Sequence, residues 1–282
     1  MTAGIVNRRE WALGVAFSGA AGGLALLPCI NQQTTIDTPF DKACEAWRVA
    51  GFRHVELWFP KLRADGLSAE AVRGRLRDSG LTPVSACASS FTASFEDLAR
   101  DFEFAQGIGV TKYVVFSHVS GSVVADDYKV AAERLARIAG LAAPYKVHIA
   151  FEFIANSKLA GCLPTALSLV RSAARPNAGV CLDTFHFCAG VSKTEDLDSV
   201  KAGEIAHVHF HDAPAAIPRE RLTDPDRLPP GEGSFPLAAI VRGLKRAGYQ
   251  GALSVELFGA EFHKGDAADI AARCFRATRR FV

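Results

Sequence analysis

The sequence predicts a single-domain α/β fold, a (β/α)8 TIM barrel, and three observations support this prediction. From residue 26 onward, eight short and largely apolar runs alternate with segments of helical periodicity, as eight βα units require. Most of these runs lack alternation between apolar and polar residues, which is typical of parallel strands covered by helices. An open doubly wound sheet would need a glycine-rich turn after the first strand, whereas the segment NQQTT at residues 31–35 contains no glycine.

The predicted elements follow one another along residues 26–282. Strands are expected at residues 27–34, 54–58, 82–88, 112–117, 147–153, 179–183, 205–210 and 252–256. Helices are expected at residues 40–50, 69–79, 95–107, 127–143, 163–174, 236–248 and 266–281. Several of these helices end on a glycine, such as Gly51 and Gly248, because glycine readily adopts the left-handed conformation that closes a helix.

One predicted connection is much longer than the usual loop. Residues 211–234 follow the seventh strand and contain Pro214, Pro218, Pro225, Pro229 and Pro230. A connection of this length inside a compact domain is usually functional, and each proline restricts the backbone. We therefore expect a rigid functional loop after the seventh strand.

Residues 1–25 are predicted to be an N-terminal extension rather than part of the barrel. Arg8 and Arg9 precede an uncharged stretch rich in glycine and alanine at residues 11–27, which is the layout of a twin-arginine export signal. No clear A-x-A cleavage site follows, and export would carry seven cysteines into an oxidising compartment. Cytoplasmic and periplasmic locations both stay open, and no stable membrane association is expected once a signal is removed.

Composition restricts the partners that this chain is expected to bind. The formal net charge is +2, and the basic residues are scattered rather than clustered, so no nucleic-acid partner is expected. The seven cysteines form no C-x-x-C pair and are expected to be reduced, mostly buried thiols. A small-molecule substrate remains the expected partner, and a homo-oligomer is compatible with the sequence.

Four consecutive predicted strands end in side chains that can bind a metal ion. These side chains are Glu152, Asp183, His209 and Glu256. Catalytic groups of such barrels sit at the carboxyl ends of the strands, and burying unpaired carboxylates there costs several kcal/mol each unless a cation compensates them. Three carboxylates and one imidazole suit Mn²⁺ best, with Mg²⁺, Co²⁺ or Zn²⁺ as alternatives. The competing interpretation is that each acid pairs with an Arg or Lys at the barrel rim.

A second group of polar and aromatic residues is expected to line the barrel mouth and contact substrate. Its members are Asn31, Trp58, His118, Lys158, His186, His211 and Arg227. Trp58 could instead pack under a loop, Lys158 could be a solvated charge, and Arg227 could pair with Asp224 or Asp226 to fix the long loop. His207 lies deeper in the seventh strand than His209 and is interpreted as a core histidine. Glu56, inside the second strand, is interpreted as the partner of a buried donor rather than a fifth ligand.

Five short motifs resemble the xylose-isomerase-like barrels of the sugar phosphate isomerase/epimerase superfamily, most closely the inosose (2-keto-myo-inositol) isomerases. The motifs are CINQQTT at 29–35, FEFI at 151–154, LDTFHF at 182–187, LTDPDR at 222–227 with PGEG at 230–233, and SVELF at 254–258. The resemblance implies that Glu152, Asp183, His209 and Glu256 are the metal ligands and that the two glutamates act as acid and base. The family's acid three residues after the histidine ligand falls on Asp212. The loop ANSK at 155–158 departs from the family pattern, which leaves the substrate open.

This resemblance implies metal-dependent isomerisation or epimerisation of a polyhydroxy ketone, an inosose or a ketose. Such a reaction removes a proton next to a carbonyl, and a divalent ion stabilises the resulting enediolate as a Lewis acid. Glu152 and Glu256 would then serve as base and acid. The alternatives are a dehydratase or lyase acting on a keto-sugar, keto-glycoside or cyclitol, a phosphodiesterase of the endonuclease IV type, and a binding protein without catalysis. The phosphodiesterase would need further histidines at strand ends, where Trp58 and Ala88 stand instead.

Overall fold

A computed structural model describes residues 26–282 and folds them into a closed barrel of eight parallel strands. The strands are β1 (Leu27–Asn31), β2 (His54–Trp58), β3 (Thr82–Ser90), β4 (Lys112–Ser117), β5 (His148–Phe153), β6 (Ala178–Asp183), β7 (Ile205–His209) and β8 (Ala252–Val255). Each strand pairs with the next one along the chain, and β8 closes the barrel on β1. The predicted fold class is confirmed, while the predicted N-terminal extension lies outside the described residues.

Helices connect the strands and cover the outside of the barrel. They are α1 (Phe40–Ala50), α2 (Phe59–Ala64), α3 (Ala69–Asp78), α4 (Phe95–Ile108), α5 (Ala125–Ala142), α6 (Leu163–Ala173), α7 (Thr184–Ala189), α8 (Leu237–Arg246), α9 (Ala260–Lys264) and α10 (Ala267–Thr278). The side chain of Ser94 accepts a hydrogen bond from the Asp97 amide at the start of α4, and Gly109 ends this helix with a φ of 97°, as expected for a capped helix. Within residues 26–282, no helix is long and apolar enough to cross a bilayer.

Three helices and the end of β1 differ from the sequence prediction. The short helices α2, α7 and α9 have six residues or fewer, too few for hydrophobic periodicity to mark them. β1 ends at Asn31 rather than continuing to residue 34, because Gln32–Thr35 forms a 3₁₀ turn. The Asn31 side chain caps this turn by accepting a hydrogen bond from the Gln33 amide at 2.9 Å.

The interior of the barrel is apolar on one side and polar on the other. Cys87, Val114, Ala150, Cys181 and Ala206, from β3 to β7, form a buried apolar cluster. On the other side, inward-facing polar residues of β2, β3, β7 and β8 are buried together, namely Glu56, Ser85, His207 and Ser254. Barrel interiors are usually filled by branched apolar side chains, so a buried polar layer below the strand ends is unusual.

The long loop after β7 is fastened to the barrel by Asp212. Its carboxylate accepts hydrogen bonds from three backbone amides, those of Ala213, Gly231 and Phe235. Asp212 also pairs with Leu228 in an isolated antiparallel bridge. A Cβ atom at Gly233 would overlap the carbonyl oxygen of Ala213, so this close approach requires glycine. The loop is therefore tied down at several points along its length.

All seven cysteines are free thiols, and five of them are buried. The other two, Cys162 and Cys188, are partly buried. Burial raises the pKa of Cys44 and Cys274 to about 12, because a thiolate is poorly stabilised away from water. These thiols stay protonated at neutral pH and behave as small apolar side chains.

Candidate metal centre

The four predicted ligands lie together at the carboxyl ends of β5 to β8. The candidate donor atoms of Glu152, Asp183, His209 and Glu256 all lie within 4.8 Å of one another. His209 is central, with its Nδ1 atom 2.8 Å from Glu152 Oε1, 3.4 Å from Glu256 Oε2 and 3.7 Å from Asp183 Oδ2. Three carboxylates and one imidazole converging in this way fit a divalent cation.

Burial of this cluster strengthens the case for a cation. Asp183 and His209 are fully buried, whereas Glu152 and Glu256 keep 4% and 5% of their surface exposed. Several carboxylates held away from water repel one another unless positive charge offsets them. The two glutamates are the acids that a substrate entering the barrel mouth can reach.

Asp183 has one oxygen engaged by the protein scaffold and one facing the cluster. Its Oδ1 atom accepts a hydrogen bond from the His186 amide at 2.9 Å, which caps α7, and lies 3.0 Å from His211 Nε2. Its Oδ2 atom faces Arg227 and His209. The strand end and the helix cap therefore fix this carboxylate, so that Oδ2 remains available as a ligand.

His209 is also held from the opposite side of its ring. Its Nε2 atom lies 3.1 Å from Glu56 Oε1. The other oxygen of Glu56 accepts a hydrogen bond from Ser254 Oγ at 2.6 Å and lies 2.9 Å from His207 Nε2. His207 is fully buried and hydrogen-bonded through Nε2, which agrees with its interpretation as a core histidine. Glu56 contacts donors on three side chains, which agrees with its interpretation as a partner of buried donors.

Arg227 is brought into the cluster by the long loop. Its Nη1 atom donates to Asp183 Oδ2 at 3.1 Å and to Glu256 Oε2 at 2.9 Å. Its Nη2 and Nε atoms donate to Asp224 Oδ1 at 2.6 and 3.1 Å. The guanidinium also lies over the rings of Phe185 and Phe258. The alternative role of Arg227 as a partner of Asp224 is therefore present, and Arg227 also contacts two of the predicted ligands.

The competing interpretation of the acids, pairing with rim cations, holds only in part. Arg227 pairs with Asp183 and Glu256. Among the ion pairs of residues 26–282, Glu152 contacts His209 and no Arg or Lys. One guanidinium cannot neutralise three carboxylates, so a net negative charge remains for a metal ion to offset.

Asn31 and His186 lie next to the cluster. Asn31 is fully buried, and its Nδ2 atom donates to Glu256 Oε1 at 3.0 Å. His186 keeps 6% exposure, and its Nε2 atom lies 3.3 Å from Arg227 Nη2. Asn31 therefore orients an acid of the cluster, whereas His186 lies where a bound molecule could contact it.

The remaining four predicted substrate contacts are distributed unevenly around the site. His211 is fully buried against Asp183, a position from which it supports a ligand rather than faces the mouth. Trp58 is half-buried and packs on the apolar interior cluster. His118 and Lys158 are exposed, and within residues 26–282 no hydrogen bond or ion pair joins their side chains to the predicted ligands. The substrate roles of these residues stay predictions.

Two residues of the site lie outside the predicted set. Ser254 bonds Glu56, and Thr184 Oγ1 donates to the His211 carbonyl at 2.7 Å. Ser254 stands two residues before Glu256, so the period of a strand places both on the inward face, and this spacing could have revealed it. Thr184 carries no such pattern, because it belongs to the short turn after β6.

The pKa values of the cluster follow from burial and from the nearby charges. Burial by itself lowers the pKa of His209, but the neighbouring groups Cys181, Glu256, Glu56 and Glu152 raise it well above its usual value. Burial raises the pKa of Glu256 to about 7, against the lowering effect of His209 and Arg227. The negative field that holds a proton on His209 would equally attract a divalent cation.

Metal binding is therefore expected to displace protons and to weaken as the pH falls. The pKa values of both His209 and Glu256 are raised, so both groups carry protons below these values and compete with the cation. We expect more protons to be released per ion at pH 6 than at pH 8, because Glu256, with a pKa of about 7, carries its proton at the lower pH and has largely lost it at the higher one. Titration calorimetry in two buffers of different ionisation enthalpy measures this number. No proton release at either pH would show that the cation binds away from these groups.

Fold and site together define a class of protein, a (β/α)8 barrel with a candidate metal centre at its catalytic face. Residues 44–278 match the family described as xylose isomerase-like TIM barrel. The chain belongs to this family, which confirms the resemblance inferred from the five motifs.

Three similar proteins narrow the comparison. The inosose isomerase of Bacillus velezensis is 36% identical over 137 residues, 48% of this chain and 49% of that protein. The chain thus spans about half the length of this curated relative. A 3-dehydroshikimate dehydratase of Pseudomonas aeruginosa is 30% identical over 176 residues, 60% of this chain and 27% of that protein. The crystal structure of IOLI protein with a binding zinc atom is 25% identical, has a TM-score of 0.84, and covers 91% of this chain and 98% of that one.

Proposed function

We propose that the chain is a divalent-metal-dependent isomerase or epimerase acting on an uncharged polyhydroxy ketone, an inosose or a ketose. The observation that carries this proposal is the convergence of Glu152, Asp183, His209 and Glu256 at four neighbouring strand ends. Similarity to inosose isomerases supports the reaction class, and similarity to a zinc-binding structure supports the metal. Mn²⁺ remains the proposed ion, with Zn²⁺, Co²⁺ and Mg²⁺ as alternatives.

Glu152 and Glu256 are proposed as the catalytic acid and base. A divalent cation held by the four ligands would supply Lewis-acid stabilisation of the negative charge that develops on the substrate. The two glutamates reach the cluster from β5 and β8 and are both slightly exposed. One of them takes the proton next to the carbonyl, and the other, or the same one, returns it to the neighbouring carbon. Asn31 and Arg227 hold the two oxygens of Glu256 and so fix its orientation.

The charge of the site favours an uncharged substrate. Three buried carboxylates at the strand ends, Glu152, Asp183 and Glu256, share one buried guanidinium, that of Arg227. With a divalent ion the charges at the strand ends sum to zero, since three negative charges face three positive ones. Every polar nitrogen of Arg227 already contacts a partner. A substrate carboxylate or phosphate would therefore enter a site with no net positive charge and no unpaired guanidinium to receive it.

A dehydratase or lyase is the second candidate, and the similarity to 3-dehydroshikimate dehydratases favours it. It would remove the same proton and then expel an oxygen from the next carbon of a keto-sugar, keto-glycoside or cyclitol. The ends of β2 and β3 hold no histidine, which disfavours the endonuclease IV type. A binding protein without catalysis would not need all four converging ligands.

Deuterium exchange separates these candidates. Protein loaded with Mn²⁺ is incubated in D₂O with ketoses, inososes, keto-glycosides and 3-dehydroshikimate, and the metal is removed before NMR. We expect deuterium at one carbon next to the carbonyl of an uncharged ketone, because proton removal is common to both candidates, and the product then distinguishes isomerisation from dehydration. Exchange confined to 3-dehydroshikimate would contradict the uncharged substrate, and no exchange in any compound would contradict the proton-transfer chemistry.

A further inference from the structure

We propose that Glu56 is a positioning residue that sets the ring orientation and the protonated nitrogen of His209. It does so by accepting a hydrogen bond from Nε2–H, which would leave Nδ1, on the side of the other three carboxylates, available to a cation that they bind. The inference rests on the metal site of the proposed function, because it concerns how one ligand of that site is prepared. Glu56 itself is not a ligand in this arrangement.

The two ring nitrogens of His209 face different surroundings. Nδ1 lies within 4 Å of an oxygen from each of Glu152, Asp183 and Glu256. Nε2 lies 3.1 Å from a single carboxylate oxygen, Oε1 of Glu56. A neutral imidazole has one donor nitrogen and one acceptor nitrogen. Carboxylates face both nitrogens, and each of them can only accept a hydrogen bond. Once a cation engages Glu152, Asp183 and Glu256, Glu56 is the carboxylate left to accept from the ring, so it would keep the proton on Nε2 and leave Nδ1 to bind the cation.

The surroundings of Glu56 keep its Oε1 atom available for His209. Ser254 Oγ donates to Oε2, and His207 Nε2 lies 2.9 Å from the same oxygen. His207 Nδ1 is buried without a hydrogen-bond partner in the described part of the chain. A buried N–H without a partner is costly, so Nε2 rather than Nδ1 carries the proton of His207, and this N–H points at Glu56. Two donors therefore occupy Oε2, and His209 has Oε1 to itself.

A purely structural role does not account for a carboxylate at this position. Glu56 is fully buried inside the barrel, where an ionised group loses its hydration. The other side of the same interior is filled by small apolar residues and thiols, which shows that the barrel can be packed without charge. A carboxylate behind a metal-binding histidine is, by contrast, a recurring way to orient the ring and raise its basicity.

The same residues suggest one rival arrangement. Glu56, His207 and His209 also bring candidate donor atoms within 4.8 Å of one another. If a cation bound there, His209 would use Nε2 rather than Nδ1, and Glu56 would be a ligand. This lower group offers three donors, all fully buried, whereas the upper group offers four donors and two slightly exposed glutamates. The geometry favours the upper group, and the nitrogen of His209 that binds the metal distinguishes the two.

The first measurement uses the wild-type protein loaded with Zn²⁺, which is diamagnetic. Correlation of ring protons with ¹⁵N nuclei in histidine-labelled protein identifies which nitrogen of His209 binds the metal and which carries hydrogen. Substitution of His209 by Gln assigns its signals. We expect metal on Nδ1 and a slowly exchanging proton on Nε2. Metal on Nε2 would overturn the proposal whether or not any variant folds.

The second measurement compares the metal affinities of two variants. Glu56→Gln can turn its amide N–H toward Nε2 and so favours the wrong tautomer, and we expect it to weaken Zn²⁺ and Mn²⁺ binding by about 10–100-fold. Ser254→Ala removes one of the two hydrogen bonds to Oε2 of Glu56 but leaves Oε1 on His209, so its metal affinity should stay within about threefold of the wild type. Competition with a chromophoric chelator gives both values, and circular dichroism of the metal-free proteins checks the fold.

The outcomes separate this inference from the proposed function. A wild-type protein that binds neither ion would contradict the metal site itself. If the wild type binds the metal through Nδ1 of His209 and Glu56→Gln binds it equally tightly, only the role of Glu56 is contradicted. Equal weakening by Glu56→Gln and Ser254→Ala would show that the polar layer acts as packing rather than through His209.

Discussion

Replacing either Glu152 or Glu256 by glutamine is expected to lower turnover by at least about a hundredfold. Loss of a catalytic acid or base typically costs 10²–10⁴ in rate, and glutamine has nearly the shape of glutamate but cannot take up a proton at neutral pH. Both variants should fold, because glutamine nearly matches the shape of glutamate, and in Glu256→Gln the hydrogen bond from Asn31 can persist with the amide oxygen. The measurement is turnover of the substrate identified by deuterium exchange, at several metal concentrations.

These glutamates are also proposed ligands, so weaker metal binding must be separated from lost proton transfer. Rates extrapolated to saturating metal isolate the proton-transfer defect. Glu232→Gln is the matched control, since Glu232 lies on the long loop in an exposed pair with Arg273 and such pairs contribute little. Near-normal turnover of both active-site variants at saturating metal would rule out the two-glutamate scheme.

Much of this site could be predicted because strand ends are readable in the sequence. Glu152, Asp183 and Glu256 each follow a run of apolar residues, and the barrel fold brings such ends to one face. His207 and His209 share the inward face of β7, and depth along the strand separates them. His209, at the end of the strand, lies beside the carboxylates of the cluster. His207, deeper in the barrel, contacts Ser85 and Glu56.

What could not be predicted depends on contacts between segments far apart in the chain. Arg227 reaches Asp183 and Glu256 because Asp212 fastens a loop whose path no local pattern describes. The pairing of Glu56 with His209 joins residues 153 positions apart. His118 follows a strand end, as the ligands do, yet it is exposed. A position after a strand therefore predicts which face of the barrel a residue occupies, but not whether its side chain turns into the mouth.

Residues at different depths in the site have different roles. Glu152 and Glu256 are slightly exposed, Asp183 and His209 are fully buried beside them, and Glu56 lies behind the ring of His209. The deeper residues are thus less accessible to a substrate and are more firmly held by hydrogen bonds. A site that must hold a cation and also move a proton needs firmly held ligands together with acids that a substrate can contact.

Removal of the metal is expected to abolish deuterium exchange and to lower thermal stability. Without a cation the ligand carboxylates repel one another and the developing negative charge has no Lewis acid, so we expect a loss of activity of at least about a hundredfold. A cation present at one hundred times its dissociation constant stabilises the fold by about 2.7 kcal/mol. For a chain of this length that corresponds to a rise of roughly 5–10 °C in Tm.

Asp183→Asn is the matched variant for this prediction. Asparagine keeps the oxygen that caps α7 through the His186 amide but replaces the anionic oxygen that faces His209 and Arg227. We therefore expect a folded protein whose Tm no longer rises when Mn²⁺, Zn²⁺, Co²⁺ or Mg²⁺ is added. Full exchange activity in protein verified to be free of metal would show that the cation takes no part in the reaction. A metal-dependent rise in Tm as large in Asp183→Asn as in the wild type would instead place the cation away from Asp183, because the altered carboxylate would then make no difference to its binding.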